Sequence, residues 1–183
     1  PNQIWGADIT YIRLTNGFVY LAAIIDFFTK KIRGWTLSKY LDASLTIEAL
    51  NNALADNPKP KIHHSDQGVQ YCDYDYVGIL KENEIQISMS DKGNPYQNNI
   101  TESFFKTLKY NEVYLNEYES YEEAFNNIEN FIEIVYHHKR LHSSLGYLPP
   151  EEFEQKYLRK HQNSQILEVI SENRLVEYPV KSF

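Results

Sequence analysis

The stretch Ile4-Trp5-Gly6-Ala7-Asp8-Ile9-Thr10-Tyr11-Ile12 decides the fold, because it has the pattern of a strand that is buried on both faces. Both alternating sets of its side chains are mostly apolar or small, which is typical of a strand inside a sheet that helices cover on both sides. Asp8 interrupts this pattern. A buried carboxylate is unfavourable unless it forms an ion pair or binds a metal, so a structural salt bridge and a metal site are both open for Asp8.

The segment after this strand predicts an antiparallel meander. Asn16-Gly17 is a strong hairpin sequence, and residues 18–25 then run back as a nearly continuous apolar strand. A turn near Thr29-Lys30 leads to a third strand over residues 31–37. Asp26 ends the second strand, and we interpret it as a turn residue or as a partner of the basic residues that follow.

A helical crossover comes next. Residues 43–56 have apolar side chains at helical spacing and end before a proline-rich segment, so they predict a helix. A short strand follows at residues 61–64 and, because a helix separates it from the first strand, a parallel pair with that strand is favoured. This pairing would bring Asp66, just after the new strand, close to Asp8. The alternative is that Asp66 only forms a turn, since it stands among common turn-forming residues.

The rest of the chain predicts mostly helices. Ser120 and Glu123 have the spacing of a capping box at the start of a long helix, and residues 176–180 have the pattern of an edge strand. The other predicted elements are a helix at 74–82, a strand at 85–88, a helix from about 100 to 109, the long helix from 121 to about 140, and a helix at 151–159. The chain therefore predicts an α/β fold, a five-stranded mixed sheet flanked by helices.

Glu102 lies on the polar side of the predicted helix that begins near residue 100. Lys106 and Lys109 follow it at i+4 and i+7 and share that side, whereas the opposite side is apolar and should be buried. If Asn99 caps this helix, Glu102 stands at the third helical position and completes a capping box. A structural capping role is therefore the alternative to a catalytic role for Glu102.

Composition limits the classes of protein to which the chain can belong. Its 183 residues are 42% hydrophobic and 14% aromatic, which excludes a disordered or fibrous chain. Its net charge of −7 argues against an indiscriminate nucleic-acid binder, although basic residues cluster locally. A single cysteine, Cys72, excludes an internal disulfide. We expect a soluble, cytoplasmic protein without a membrane span, and the start at Pro1 favours a fragment of a longer protein.

Three acids stand at informative places in the predicted fold. Asp8 lies in the central strand, Asp66 at the end of its parallel neighbour and Glu102 at the start of a helix. Carboxylate oxygens suit Mg²⁺ or Mn²⁺. Two such ions, about 3.5 to 4 Å apart, would activate the attacking oxygen and stabilise the leaving oxygen during in-line attack on a phosphodiester.

Five segments of the chain form an ordered set of motifs. They are WGADITY (5–11), HSDQGVQY (64–71), SMS (88–90) with KGNPY (92–96), ESFFKTLK (102–109) and RLHSSLGY (140–147) with Pro150. In content and order these segments resemble the DDE transposases and retroviral-type integrases, and most closely the transposases of bacterial insertion sequences. The 35 residues between Asp66 and Glu102 belong to the same resemblance, which covers residues 2–153.

The resemblance implies an RNase H-like catalytic core that cleaves DNA at the ends of a mobile element and joins these ends to target DNA. In this family likeness Asp8 would bridge two Mg²⁺ or Mn²⁺ ions, and Asp66 and Glu102 would each hold one of them. It also implies a homo-oligomer in the bacterial cytoplasm. We expect the core to span residues 1–160 and a tail of unknown role to span residues 161–183.

Four basic residues are candidates for DNA contacts by the same resemblance. Lys106 and Lys109 follow Glu102 by one and two helical turns, which suits contacts to DNA phosphates, and structural salt bridges are their alternative. Arg140 and His142 match a basic block that would also approach DNA, and capping of a helix end is their alternative.

One position departs from the family pattern. The family commonly has an acid after Pro-Tyr, and this chain has Gln97 there. Gln97 keeps two alternatives to a transposase open, namely a catalytically silent DNA-binding or assembly protein and an RNase H-like nuclease that cuts without joining.

Overall fold

A five-stranded mixed sheet forms the centre of the protein, as the sequence predicted. The computed structural model describes residues 1–90 and 99–176, with side chains up to residue 164. The strand order is β3-β2-β1-β4-β5, with antiparallel pairs among the first three strands and parallel pairs from β1 to β4 and from β4 to β5. The strands are β1 (Ile4–Arg13), β2 (Phe18–Asp26), β3 (Ile32–Ser38), β4 (Ile62–Ser65) and β5 (Gln86–Met89).

Helices cover both faces of this sheet. They are α1 (Ala43–Asp56), α2 (Tyr74–Glu82), α3 (Asn99–Asn111), α4 (Tyr121–Asn130, continued by a π-helical segment over Phe131–Tyr136) and α5 (Pro150–Val176). On one face Phe104 of α3 and Ile128 of α4 share a buried cluster with Ile12 of β1. On the other face Leu50 of α1 shares a second cluster with Trp5 of β1. The central strand is thus buried on both sides, which explains its nearly continuous apolar sequence.

The pairing of β1 with β4 is short. Ile4, Trp5 and Gly6 pair with Ile62, His63 and His64, and β4 then ends at Ser65. The edge of β1 that faces β4 therefore has no strand partner from Ala7 to Arg13 within the described part of the chain. A crevice opens at this edge, where β4 stops and β1 continues.

Two helices differ from their predicted form. The long helix after residue 120 contains a π-helical segment at Phe131–Tyr136, which a pattern of apolar residues does not distinguish from α-helix. Its Ser120 cap accepts a hydrogen bond from the Glu123 N–H as predicted, but the Glu123 carboxylate accepts from the Glu119 N–H, one residue before the cap. The capping box is therefore offset from its predicted form.

The last helix is longer than the predicted 151–159. It runs from Pro150 to Val176, because no glycine or proline interrupts it once it has started. It crosses residue 160 without a break, and the division into a core and a tail stays a prediction. The predicted edge strand at 176–180 lies outside the described residues, apart from Val176, which ends α5. None of the helices in the described ranges combines the length and hydropathy of a membrane span.

A buried ion cluster joins α5 to the sheet. Arg33 of β3 forms ion pairs with Asp26 at the end of β2 and with Glu154 of α5. Burial raises the pKa of Asp26, but hydrogen bonds from the backbone N–H groups of Thr29 and Asn2, together with the Arg33 charge, outweigh burial and hold this pKa below its usual value. Asp26 is thus both the predicted turn residue and the predicted partner of a basic residue.

Candidate active site

The first turn of α3 lies directly over the start of β1. A Cβ atom at Gly6 would stand 3.0 Å from the Thr101 hydroxyl oxygen and 2.0 Å from the Phe27 ring, so a side chain at this position would displace the Phe27 ring. Asp8 is two residues further along the strand and points to the same face as Gly6. Since Glu102 follows Thr101 in the first turn of α3, the fold brings Glu102 to the side of the sheet that carries Asp8.

Asp66 reaches the same region from the neighbouring strand. Gly6 is the parallel partner of His64, so two further residues along each chain bring Asp66 beside Asp8. Adjacent strands are about 4.8 Å apart. Asp8 and Asp66 line one cavity of about 220 Å³, together with Tyr71. Asp66 also forms the predicted turn, because its carboxylate accepts a hydrogen bond of 2.9 Å from the Gly68 N–H.

The charges of the three acids interact. Burial raises the pKa of Asp8, a 2.8 Å hydrogen bond from the Ile9 N–H lowers it, and the negative charges of Asp66 and Glu102 raise it, with a net result of about 6. None of the ion pairs between described residues includes an acid of this group, so the salt-bridge alternative for Asp8 finds no support. Asp66 and Glu102, both far from Asp8 in sequence, are therefore near enough to Asp8 in the fold for their charges to raise its pKa.

The donor set fits a divalent cation, although the acids do not form a closed cage. Three carboxylates supply hard oxygen atoms. Burial is the main cause of the raised pKa of Asp8, and the negative charges of Asp66 and Glu102 add to it, so a bound cation would stabilise the charged form of Asp8. Within residues 1–90 and 99–164, however, no group of three or more His, Cys, Asp or Glu side chains is close enough to hold a metal ion. The capping role of Glu102 is open, since α3 begins with Asn99 itself and the residue before it is outside the described ranges. Gln97 lies outside them as well.

Lys106 and Lys109 lie on α3 beyond Glu102. Lys106 is exposed, and Lys109 is partly buried with its Nζ 4.5 Å from the centroid of the Tyr11 ring. Burial lowers the pKa of Lys109. No ion pair in the described part of the chain involves either lysine, so the salt-bridge alternative finds no support there.

Arg140 and His142 line a second cavity, of about 420 Å³, on the other flank of α3. Lys30 also lines it, as does Ser103 of α3, and no acid is among its lining residues. Burial, followed by the charges of Arg140 and Lys30, lowers the pKa of His142 to about 4. The Nε atom of Arg140 and the Nε2 atom of His142 are buried without a hydrogen-bond partner among the described residues. This cavity therefore carries positive charge and unused hydrogen-bonding groups.

Tyr71 is a site residue to which sequence reasoning assigned no role. It is buried, and its hydroxyl group has no hydrogen-bond partner among the described residues. Burial raises its pKa, and so do Tyr76 and the carboxylates of Asp8 and Asp66. The sequence signal that could have identified Tyr71 as a site residue is its place at the end of the motif HSDQGVQY.

Comparison with known protein families tests the resemblance that the sequence motifs indicated. Two models, each described as an integrase core domain, match residues 1–95 and 83–150. The chain belongs to the integrase core domain family. Three relatives of this integrase core come from bacterial insertion sequences, which confirms the resemblance to their transposases.

These relatives share about two fifths of their aligned residues with this integrase core. The transposase InsF of insertion sequence IS3A from Escherichia coli is 41% identical over 160 residues, which are 86% of this chain and 56% of the relative. An uncharacterised 31 kDa protein of insertion element IS600 from Shigella sonnei is 42% identical over 159 residues, 86% of this chain and 58% of the relative. The transposase of element IS904 from Lactococcus lactis is 42% identical over 156 residues, 84% of this chain and 62% of the relative. The integrase core thus spans about three fifths of their length.

Solved structures confirm the RNase H-like fold. The catalytic core domain of bovine immunodeficiency virus (BIV) integrase superposes with a TM-score of 0.63 at 16% identity, covering 88% of this chain and 99% of that one. The HTLV-2 integrase catalytic core domain in complex with magnesium, in its trimeric form, gives a TM-score of 0.61 at 17% identity, covering 81% of this chain and 94% of that one.

Proposed function

We propose that this integrase core is the catalytic part of a transposase that cuts DNA at the ends of a mobile element and joins them to target DNA. The observation that carries the proposal is the cavity that Asp8 and Asp66 share. The charges of Asp66 and of Glu102, in the first turn of α3, help to raise the pKa of Asp8 to about 6. The named transposases among the relatives support the same reaction.

The three acids would hold two Mg²⁺ or Mn²⁺ ions, with Asp8 shared between them. The HTLV-2 core, which has the same fold, is described in complex with magnesium, and this supports a divalent ion here. When bound, such ions would supply Lewis acidity to the attacking and leaving oxygens of the phosphodiester. Asp8 is the least exposed of the three acids, and the Ile9 N–H orients its carboxylate. Tyr71 lines the cavity beside it, and its buried hydroxyl has no hydrogen-bond partner among the described residues.

The basic residues would hold the DNA on both flanks of α3. Lys106 and Lys109 lie on the helix that carries Glu102, and they can neutralise backbone phosphates near the cut. Arg140 and His142 lie in the cavity that has basic lining residues and no acid, where a further phosphate would fit. DNA ends and target DNA are therefore the proposed partners. We also propose a homo-oligomer, as the described trimeric and dimeric forms of the HTLV-2 core support.

A metal-dependent assay on labelled element ends tests the proposal. With Mn²⁺, the intact chain should nick the ends and join them to target DNA, whereas nicking alone indicates a nuclease. If the chain shows neither nicking nor joining, the result indicates the catalytically silent protein, the alternative that Gln97 leaves open. Glu102→Gln should abolish both nicking and joining, because it removes one charged metal ligand.

Glu122→Gln is a matched control for that variant. Glu122 is also an exposed acid in the first turn of a helix, so both substitutions remove the same favourable interaction with a helix N-terminus. If Glu102 served only to stabilise its helix, the two variants would lose activity to a similar small extent. Undiminished joining by Glu102→Gln would contradict its proposed role.

A further inference from the structure

A groove of aromatic and basic side chains extends from the acid cavity along the unpaired edge of β1. Its volume is about 710 Å³, and it is lined by residues of the β1–β2 hairpin, the end of α3 and the segment after α3. The lining residues used below are Tyr11, Arg13, Phe18, Lys109, Tyr114 and Glu117. The unpaired edge ends at Leu14, which bridges to Tyr118.

The exposed aromatic rings in this groove are not explained by packing. Tyr11, Phe18 and Tyr114 are 60%, 51% and 64% exposed. The rings of Tyr11 and Phe18 meet edge to face with centroids 5.7 Å apart. Tyr114 forms a second such pair at 5.5 Å with Tyr110, which does not itself line the groove. Single exposed aromatic residues are normal on a protein surface, whereas a cluster of them commonly marks a binding site.

The charges of the groove favour an anionic polymer. Lys109 places its ammonium group over the Tyr11 ring, and Arg13 lies two residues further along β1, where it pairs with Phe18. Glu117 is the acid among the lining residues, so the basic groups outnumber it. Tyr11 also lines the cavity of Asp8 and Asp66 and therefore connects the groove to the acids.

We propose that this Tyr11 groove binds single-stranded DNA that continues from the bond to be cut. Bases would stack on the exposed faces of Tyr11 and Phe18, and backbone phosphates would contact Lys109 and Arg13. In a duplex the faces of the bases are stacked on one another, whereas in a single strand they are free to stack on aromatic side chains. A groove with aromatic and basic groups therefore selects single strands. The inference rests on the proposed function for the role of the acids, but the binding itself does not need catalysis.

Binding of a labelled oligothymidine strand and of a duplex of equal length, measured by fluorescence anisotropy in EDTA, tests the groove. Tyr11→Ala should weaken single-strand binding about tenfold, the usual effect of losing one stacked base, and Phe18→Ala should act in the same direction. Duplex binding should change less than about twofold, because it depends on phosphate contacts. Tyr11→Phe retains the ring and should retain single-strand affinity.

Tyr74→Ala is the control for general loss of an exposed ring. Tyr74 is 89% exposed at the start of α2 and lines neither the groove nor the cavity of Asp8 and Asp66. Unchanged single-strand binding by Tyr11→Ala and Phe18→Ala would overturn the inference, and so would an equal loss in Tyr74→Ala or in duplex binding. An unaltered thermal unfolding midpoint in each variant excludes misfolding as the cause of lost binding.

Nicking by the unaltered chain, measured separately with Mn²⁺, distinguishes this inference from the proposed function. A selective loss of single-strand binding in a chain that never nicks DNA supports the groove and contradicts the proposed function. Normal nicking with no selective loss supports the proposed function and contradicts the groove.

Discussion

Replacing Asp8 by asparagine should stabilise the protein at neutral pH when divalent metal is absent. The pKa of Asp8 is raised from 3.8 to about 6, mainly by burial. One pKa unit corresponds to about 1.4 kcal/mol, so the charged carboxylate lowers the free energy of unfolding by about 3 kcal/mol. Asparagine keeps an oxygen atom that can accept the Ile9 N–H and removes the charge.

The pH dependence has a definite sign. Because the folded state holds the proton more tightly, the contribution of Asp8 to stability is fully present below pH 3.8 and is lost as the pH rises through about 6. The difference between Asp8→Asn and the unaltered chain should therefore be small at about pH 4 and should reach about 3 kcal/mol at about pH 7.5. For a chain of this size that corresponds to a rise of about 6 to 12 °C in the unfolding midpoint.

Urea denaturation in EDTA, followed by circular dichroism at both pH values, measures this difference. Asp75→Asn, at an exposed position in the first turn of α2, is the control and should change stability by less than about 0.5 kcal/mol. Mg²⁺ at about one hundred times its dissociation constant should then stabilise the unaltered chain by about 2.7 kcal/mol and Asp8→Asn by much less. Equal stabilities of the two proteins at about pH 7.5, or a difference independent of pH, would refute the reasoning.

Two further predictions concern the ion cluster and the DNA contacts. Arg33→Leu should lower the free energy of unfolding by about 3 to 5 kcal/mol, because it leaves Asp26 and Glu154 buried without their cation; a loss below about 1 kcal/mol in urea denaturation would show that the cluster contributes little. Lys106→Gln should weaken DNA binding to a similar extent for all sequences and reduce the slope of log K against log salt by about 0.9, as expected for one lost phosphate contact. A salt titration that gives the same slope for both proteins would contradict that contact.

The sequence by itself predicted the five strands and most of the helices, and it singled out the three acids as candidates. The helix bounds Ala43–Asp56 were predicted to the residue, because spacing of apolar residues and proline positions act locally. The hairpin at Asn16-Gly17 follows from turn chemistry in the same way. The pairing of β4 with β1 also followed from the sequence, since a helical crossover between two strands favours a parallel pair. The place of β5 beside β4 was not predicted.

Only the tertiary structure decided what surrounds these acids. The short pairing of β1 with β4, the contact of Lys109 with Tyr11 and the buried position of Arg33 all join segments that lie far apart in the chain. Periodicity shows which face of an element is apolar, but it does not show which element covers that face or where a neighbouring strand stops. The raised pKa of Asp8 has the same origin, because burial and the charges of distant residues produce it.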